Sequence, residues 1–172
     1  MNEKQTVACG KFLKLVKDGR WEYAERVNSS GAVAIVAVTD EGKLILVEQF
    51  RVPLGKRSIE LPAGLAGDDA GKFGEALANA ATRELLEETG YEAGVMEFMT
   101  EGASSAGLTS ETIAIFRARH LKKVGAGGGD AQEDILVHEI PLTQVPGWIA
   151  QQRAAGKEVD LKVFAGLWFA GK

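Results

Sequence analysis

The pattern of apolar and polar residues predicts that the first third of the chain consists mostly of strands. Residues 11–17 and 21–27 are joined by an Asp-Gly pair, which is typical of a tight β-hairpin turn. Residues 31–38 (GAVAIVAV) form an almost continuous apolar run, which predicts a strand that is buried on both faces. A second apolar run at residues 44–49 is expected to return beside it as its partner strand.

The rest of the chain predicts one strong central helix, further strands and two closing helices. Residues 75–89 are rich in alanine, leucine and glutamate and stop before Gly90, a residue type that commonly ends a helix in a left-handed conformation. Shorter segments complete the pattern: strands at 59–62, 95–100, 112–120 and 135–140, helices at 141–155 and 160–169, and loops at 51–58, 64–74 and 124–130. The last loop (VGAGGGD) is expected to be mobile. This order predicts an α+β sandwich with a mixed sheet.

The composition is that of an ordinary globular chain and argues against several classes of function. With 172 residues, of which 45% are hydrophobic, the chain can build one domain with its own core. Its net charge of −4 argues against a nucleic-acid partner, and no apolar run is long enough to span a membrane. Cys9 is the only cysteine and there are two histidines, so neither an internal disulfide nor the usual zinc site is expected. No signal peptide is visible, and we expect a cytoplasmic protein.

The predicted helix at 75–89 carries a dense cluster of negative charge. Glu84 and Glu88 are one helical turn apart and Glu87 lies beside them, so three carboxylates share one arc of the surface. Like charges at this spacing destabilise a helix by about 0.2–0.5 kcal/mol per pair, and a hard divalent cation such as Mg²⁺ relieves the repulsion. Charge alone leaves open the alternative of a solvated acidic surface.

The spacing of these carboxylates resembles the Nudix box, Gly-x5-Glu-x7-Arg-Glu-U-x-Glu-Glu-x-Gly-U, in which U is a bulky apolar residue. The match runs without interruption from Glu75 to Tyr91. One position departs from the pattern, because Asp69 stands where the box glycine is expected. Gly64 is the better equivalent, with five additional residues in the loop. The resemblance implies the Nudix fold, an α/β/α sandwich with a mixed β-sheet, preceded here by N-terminal antiparallel strands.

The resemblance also implies roles for the residues of the box. Mg²⁺, with Mn²⁺ as a substitute, is expected on the carbonyl of Ala63 and the carboxylates of Glu84 and Glu88. Glu87 is expected to be a further ligand or to contact a metal-bound water, and it is also expected among the catalytic residues. Arg83 is expected to orient these carboxylates by pairing with Glu75 or Glu87. Gly64 is expected to contact the substrate at the entry to the box, and its alternative is a plain strand-end glycine.

An N-terminal segment resembles the branch of the family that hydrolyses ADP-ribose and other nucleoside diphosphate sugars. In Trp21-Glu22-x3-Arg26, the resemblance implies that Trp21 stacks on the base, with Glu22 and Arg26 as nearby polar contacts. The alternative is that Trp21 packs on the core. Because this segment often reaches the site of a second subunit in that branch, a homodimer is implied. We therefore expect residues 1–30 to form a dimerisation and base-binding extension of a Nudix domain at residues 31–172.

Three later segments resemble the same branch. The first consists of residues 48–51 (EQFR) followed by residues 59–64 (IELPAG). This resemblance implies that Arg51 binds the substrate diphosphate, and the alternative is a surface arginine. Residues 104–111 (SSAGLTSE) resemble a Ser-Pro-Gly-x-Ser/Thr-x-Glu loop, with alanine in place of the proline, in which Glu111 supports the metal or the substrate; its alternative is a strand-start glutamate.

The third of these segments, Gln132-Glu133-Asp134-Ile135, follows the glycine-rich loop. In this branch the catalytic base lies on a mobile acidic loop at this place, and Glu133 is our choice. Asp130 and Asp134 are the runners-up, and a plain flexible loop with scattered acids is the alternative. The flanking glycines would permit the loop to close over bound substrate.

The expected reaction is hydrolysis of the pyrophosphate bond of a nucleoside diphosphate sugar, with ADP-ribose giving AMP and ribose 5-phosphate. Metal-activated water is expected to attack phosphorus while Glu133 takes its proton. Other substrates of the same box stay open: ADP-glucose, GDP-mannose, a dinucleoside polyphosphate or an RNA 5′ pyrophosphate. A non-catalytic, nucleotide-binding regulator is the alternative from another class.

Overall fold

A computed structural model describes residues 4–27, 31–67, 76–129 and 133–171. Within these ranges the strands are β1 (Gln5–Cys9), β2 (Leu13–Asp18), β3 (Trp21–Arg26), β4 (Gly31–Ala37), β5 (Lys43–Arg51), β6 (Lys56–Glu60), β7 (Ala63–Ala66), β8 (Tyr91–Ala103), β9 (Thr112–Lys123), β10 (Leu136–Pro141) and β11 (Glu158–Val159). The helices are α1 (Leu77–Thr89), α2 (Val145–Ala154) and α3 (Leu161–Ala170), with short 3-10 helices at Val52–Leu54 and Leu142–Gln144. None of the described helices is long and apolar enough to cross a membrane.

Two four-stranded sheets form the centre of the fold. One has the strand order β7-β4-β9-β8 and is mixed, because β4 runs parallel to β9 and antiparallel to β7. The other has the order β10-β5-β6-β11. Helix α1 packs into one hydrophobic cluster and helices α2 and α3 into another, and both clusters contain residues of β4. The expected α/β/α sandwich with a mixed sheet is therefore confirmed.

Strand β4 shows why its sequence is apolar at every position. Val33 and Ile35 point into the cluster that holds α1, while Ala34 and Val36 point into the cluster that holds α2 and α3. Successive side chains of a strand face opposite sides, so a strand between two cores needs apolar residues throughout. Burying each of the larger side chains contributes about 1.5–3 kcal/mol. The prediction of a strand buried on both faces is confirmed.

The predicted partner of β4 was wrong. Strand β5 pairs with β6 and β10, and its backbone pairing beside β4 is an isolated bridge between Leu44 and Val38, the residue just after β4. Both edges of β4 are occupied by β7 and β9, which come from more distant parts of the chain. Adjacency in sequence therefore did not give adjacency in the sheet.

Several predicted boundaries also moved. The segment expected to be a loop at 51–58 contains a 3-10 turn and the start of β6, and residues 63–66 form β7 rather than loop. Strands β8 and β9 are longer than predicted, because they continue as a two-stranded ribbon held by backbone pairing from Tyr91 to Ala103. Strand β1 was not predicted. Helix α1 begins at Leu77, and Glu75 lies outside the described residues.

The N-terminal strands form a third sheet of their own, in the order β1-β2-β3. Its edge docks on the loop before β9: the amide of Ala24 donates to the carbonyl of Leu108 (2.8 Å), and the amide of Ser110 donates to the carbonyl of Ala24 (3.2 Å). The predicted antiparallel hairpin of β2 and β3 is confirmed. The expected division into residues 1–30 and 31–172, with its dimerisation role, stays a prediction.

Candidate active site

Helix α1 carries the acidic cluster and is held in place by its apolar side. Ala80, Ala81 and Leu85 are buried in the core that contains Val33 and Phe116. The helix ends at Gly90, which has a φ of 72° and donates its amide to the carbonyl of Leu86 (2.9 Å). With the apolar side fixed, the carboxylates of Glu84 and Glu88 are directed towards β7.

A cavity of about 330 Å³ opens beside this end of α1. Its wall contains most of the predicted site residues: Arg26, Arg51, Ala63, Gly64, Glu84, Glu88, Glu111 and Glu133. It also contains three polar residues that were not predicted: Gln49, Glu60 and Lys162. Several separate parts of the chain therefore meet here: β3, β4, the β5–β7 region, α1, the start of β9, the segment before β10 and the first turn of α3.

Glu88 is the most deeply buried acid of this cavity, at 3% exposure. The backbone amide of Ala63 donates to its Oε2 at 3.0 Å. Burial raises the pKa of Glu88 well above its usual range, and the nearby carboxylates of Glu84 and Glu133 raise the pKa further, against the lowering effect of the Ala63 amide and of Arg51. The site therefore favours a bound cation, which would allow Glu88 to ionise.

Glu84 lies between a glycine and an arginine. A side chain on Gly64 would overlap the carboxyl group of Glu84, so this position requires glycine for the carboxylate to lie where it does. Arg83 Nη1 donates to Glu84 Oε1 (2.9 Å) and to Glu87 Oε2 (3.0 Å), while its Nη2 donates to the carbonyl of Leu65 (2.9 Å). Arg83 thus ties the helix to β7 and orients two carboxylates, including the predicted partner Glu87.

Glu87 itself does not line the cavity. Its side chain is 50% exposed, and its described contact is the ion pair with Arg83. The structure therefore places Glu87 at the rim, beside the cluster rather than within it. Its role as a metal ligand or base stays a prediction.

The oxygen donors of this cavity fit a hard divalent cation. Among the residues that the structure describes, no three His, Cys, Asp or Glu side chains converge as a ready metal cage. Mg²⁺ does not need one, because it usually takes one or two carboxylates, retains waters and shares the substrate phosphates. Glu84 and Glu88 are two such carboxylates, and Ala63 lines the cavity beside them. A bound cation would compensate the charge of the buried Glu88. The donor set thus fits the expected magnesium.

Arg51 faces the cavity with its guanidinium held by a carboxylate that the sequence analysis missed. Its Nε and Nη2 donate to Oε1 and Oε2 of the buried Glu60 at 2.8 and 2.6 Å. These hydrogen bonds raise the pKa of Arg51 and fix the plane of its guanidinium group. A charged residue inside the short strand 59–62 was the available signal for Glu60, since buried carboxylates are rare unless paired.

The other end of the cavity is formed by an ion pair between two predicted residues. Arg26 Nε donates to Glu111 Oε1, which joins the N-terminal sheet to the start of β9. Trp21 and Glu22 do not line this cavity. Trp21, 56% exposed, lines a separate depression with Tyr23 and Thr109. Within the single chain the base-stacking surface is therefore not part of the cavity, and the roles of Trp21 and Glu22 stay predictions.

Lys162 reaches the cavity from α3, and no sequence signal pointed to it. Asp160 caps this helix by accepting the amide of Lys162 (2.7 Å), and its second carboxylate oxygen accepts the Lys162 ammonium (2.5 Å). The lysine, paired with Asp160, adds a cationic group to the cavity wall. Helix α3 was predicted. That its first turn lies at the cavity depends on tertiary contacts, which a local sequence pattern does not contain.

The glycine-rich run before Glu133 has a function that its composition did not reveal. The amide of Gly128 donates to the carbonyl of Glu88 (2.8 Å), and the amide of Gly129 donates to the carbonyl of Glu87 (3.0 Å). These bonds satisfy carbonyls that the end of α1 would otherwise leave without partners. The described part of the run, up to Gly129, is therefore docked on α1. Glu133 follows shortly after and lines the cavity.

The runner-up bases lie differently. Asp130 is outside the described residues. The side chain of Asp134 is 77% exposed, does not line the cavity and pairs with Arg57 at 2.7 Å. Among the described candidates for the base on this segment, Glu133 is the one that reaches the cavity wall.

Replacing Gly127 with alanine should reduce both stability and activity. Its φ of 71° is unfavourable for alanine by roughly 1–2 kcal/mol. An added Cβ would also overlap the backbone of Thr89, so the run must move away from α1. We expect a lower melting temperature and slower turnover. Gly147→Ala is the control: this glycine lies within α2 with open space around it, so alanine there should be neutral or stabilising. Equal melting temperatures for the two variants would contradict the docking role.

Comparison with known proteins adds information on the family. The NUDIX domain profile matches residues 29–157. The methanol dehydrogenase activator of Bacillus methanolicus is 36% identical over 156 residues, covering 87% of this chain and 82% of its own. The ADP-ribose pyrophosphatase of Bacillus subtilis (strain 168) is 39% identical over 146 residues, or 81% of this chain and 76% of its own. A crystal structure of an ADP compounds hydrolase superposes with a TM-score of 0.64, covering 84% of this chain and 80% of that one, at 23% identity.

The fold and the cavity define a class of protein: an α/β/α sandwich in which one helix presents carboxylates, and nearby strands present arginines, to a polar cavity. The chain belongs to the NUDIX family. The predicted family, the fold and the class of enzyme, a Nudix hydrolase, are thereby confirmed. Nudix hydrolases generally need a divalent metal.

Proposed function

We propose that this protein hydrolyses the pyrophosphate bond of a nucleoside diphosphate sugar, with ADP-ribose as the leading substrate and Mg²⁺ as the metal. The observation that carries the proposal is the cavity itself. In it, Glu84 and the buried Glu88 share one wall with Arg51, whose guanidinium is fixed by Glu60. A site that holds both a divalent cation and a fixed arginine suits a substrate with two linked phosphates.

Four charged residues of the cavity have a part in this reaction: Arg51, Glu84, Glu88 and Glu133. Glu84, Glu88 and the carbonyl of Ala63 would hold Mg²⁺, which when bound screens the phosphate charge and favours ionisation of the attacking water. Arg51 binds phosphate oxygens and stabilises the charge that develops on them. Glu133 accepts the proton of the water whose oxygen attacks phosphorus. The bond between that phosphorus and the bridging oxygen breaks, and the second phosphate leaves with the bridging oxygen. ADP-ribose would yield AMP and ribose 5-phosphate.

The homodimer and the cytoplasmic location belong to the same proposal. The N-terminal sheet exposes several large apolar side chains: Val7, Phe12, Leu13 and Trp21. Such a surface supports an interface with a second copy, which would bring Trp21 towards a neighbouring cavity. The single free cysteine, exposed Cys9, supports a reducing compartment.

A regulatory role without turnover is the second candidate. The name of the B. methanolicus relative, an activator of another enzyme, favours it. The presence of Glu84, Glu88 and Glu133 on one cavity wall favours turnover, because a module that only binds a nucleotide does not need a base beside its metal ligands.

Product analysis tests the proposal directly. We expect the purified chain with Mg²⁺ to convert ADP-ribose to AMP and ribose 5-phosphate, and to stop when the metal is chelated. ADP-glucose, GDP-mannose and a dinucleoside polyphosphate assayed in parallel decide among the alternative substrates. Binding of ADP-ribose without any product would replace the hydrolase proposal by the regulatory one, and faster cleavage of another substrate would replace ADP-ribose.

A further inference from the structure

A second charged cluster lies on the other side of β5 from the cavity. Gln49 and Arg51 line the cavity, so the alternation of the strand directs Glu48 away from it. Glu48 is 2% exposed, yet it has three charged or polar partners. Arg57 Nε donates to its Oε1 (2.7 Å), while Lys157 Nζ (2.7 Å) and His138 Nε2 (2.9 Å) lie on its Oε2. None of these four residues belongs to the reaction proposed above.

Arg57 extends this cluster to a different part of the chain. Its Nη1 donates to Asp134 Oδ2 (2.7 Å), and its Nη2 donates to the backbone carbonyl of Asp134 (3.1 Å). One guanidinium group therefore joins a buried carboxylate of β5 to both the side chain and the backbone of Asp134. An exposed ion pair alone would contribute little to stability. Here Arg57 is fixed at one end by the buried Glu48 and at the other by the backbone carbonyl of Asp134.

The residue before Asp134 is Glu133, which lines the cavity. Ile135, the residue after it, is buried at the base of β10. The chain is thus attached to α1 by the amides of Gly128 and Gly129, and to β6 by Arg57. In the sequence, Glu133 follows the first attachment and directly precedes the second.

We propose that Arg57 is a positioning residue, which holds Asp134 so that the carboxylate of Glu133 reaches the reacting water. The proposal deepens the function proposed above and rests on it. Arg57 does not line the cavity, and it acts through Asp134. The complete bridge needs its planar group, because the ammonium of a lysine cannot contact Glu48, Asp134 Oδ2 and the backbone carbonyl of Asp134 in the same geometry.

Loss of Arg57 should leave the fold intact. Glu48 would keep its hydrogen bonds to Lys157 and His138, so the buried carboxylate would not be left without partners. Asp134→Ala cuts the same link from the exposed side and removes no buried group. Lys157→Gln is the matched control, because it takes one cation from Glu48 and leaves the contact of Arg57 with Asp134 in place.

The test measures kcat and KM for the substrate found by product analysis, together with melting temperatures. We expect Arg57→Gln and Asp134→Ala to lower kcat by about 10–100-fold, the usual effect of removing a supporting contact, with little change in KM. Arg57→Lys should recover part of the loss, and Lys157→Gln should match the parent in kcat. The double variant Arg57→Gln/Asp134→Ala should be no slower than the Arg57 variant alone, because both changes break one link.

Three results would overturn the proposal. Equal losses of kcat in the Arg57→Gln and Lys157→Gln variants would mean that the cluster only stabilises the fold. A fully additive double variant would mean that the two residues act separately. A near-inactive Asp134→Ala beside an active Arg57→Gln would make Asp134 itself the base. If the parent shows no hydrolysis, the proposed function fails. Crystal structures of the parent and of Arg57→Gln then decide the positioning role, which is wrong if Glu133 has not moved.

Discussion

Replacing Glu88 with glutamine should lower hydrolysis of the substrate by about 100-fold or more, because metal Lewis acidity is worth several kcal/mol and each ~1.4 kcal/mol changes the rate tenfold. Glutamine keeps the shape of the side chain and can still accept the Ala63 amide at the position of Oε2. It removes the negative charge that we assign to the metal. The measurements are kcat/KM with Mg²⁺ and the increase in melting temperature that Mg²⁺ produces, and both should fall.

Although Glu88→Gln should lower turnover and the stabilisation by Mg²⁺, it should make the metal-free protein more stable. Burial raises the pKa of Glu88 above its value in the unfolded chain, so the folded state binds this proton more tightly. The protonated Glu88 side chain therefore contributes its full stabilisation at pH values below its pKa in the unfolded chain. This contribution is lost as the pH rises through the pKa of Glu88 in the folded protein. Glutamine imitates the protonated form at every pH. In chelator, Glu88→Gln should melt at a higher temperature than the parent at alkaline pH, with the difference disappearing in acid.

The exposed Glu92, just after α1, provides the control. Glu92→Gln removes a carboxylate close in sequence but outside the cavity, and it should leave turnover and the Mg²⁺ response unchanged. Parental turnover in the Glu88 variant would contradict the metal assignment. A metal-free Glu88 variant that is less stable than the parent at alkaline pH would contradict the physical account of its burial.

The sequence predicted those elements in which the local pattern and the fold agree. The uniform apolar run of β4 and the glycine at the end of α1 are local signals. The buried strand and the helix end are both found where these signals predicted them. The pairing of β5 was not predictable, because the edges of β4 are filled by β7 and β9 from other parts of the chain. The extension of β8 and β9 into a ribbon depends on backbone pairing, which leaves little trace in the side chains.

The site divides in the same way. Glu84 and Glu88 could be found because helical spacing brings them together, and Arg51 because its segment resembles a known branch. Glu60 left one signal, a charged residue inside a short strand. Arg57 and Lys162 left none, because the partner Asp134 of Arg57 is 77 residues away and tertiary structure brings Lys162 to the cavity. The glycine run shows the same limit. Its composition indicates a flexible loop, whereas Gly127 is required by the close approach of its backbone to Thr89.

Replacing Glu133 with glutamine is the second change with a large expected effect. Removing a general base typically costs about 10²–10⁴-fold in rate. Because Glu133 is not among the proposed metal ligands, KM and the stabilisation by Mg²⁺ should stay close to those of the parent. This separates the variant from Glu88→Gln, in which the metal response is lost as well. The measurements are kcat, KM and the melting temperature with and without Mg²⁺.

The control for Glu133 is Glu158→Gln, which alters an exposed carboxylate of β11 that lies outside the cavity. It should turn over at the parental rate. A Glu133 variant as fast as the parent would assign the base to Asp130, Asp134 or Glu87. The geometry argues against the last two, because Asp134 is paired with Arg57 and Glu87 with Arg83, and neither side chain lines the cavity. A slow Glu133 variant that still binds metal and substrate would show that proton transfer and metal binding depend on different residues of the same cavity wall.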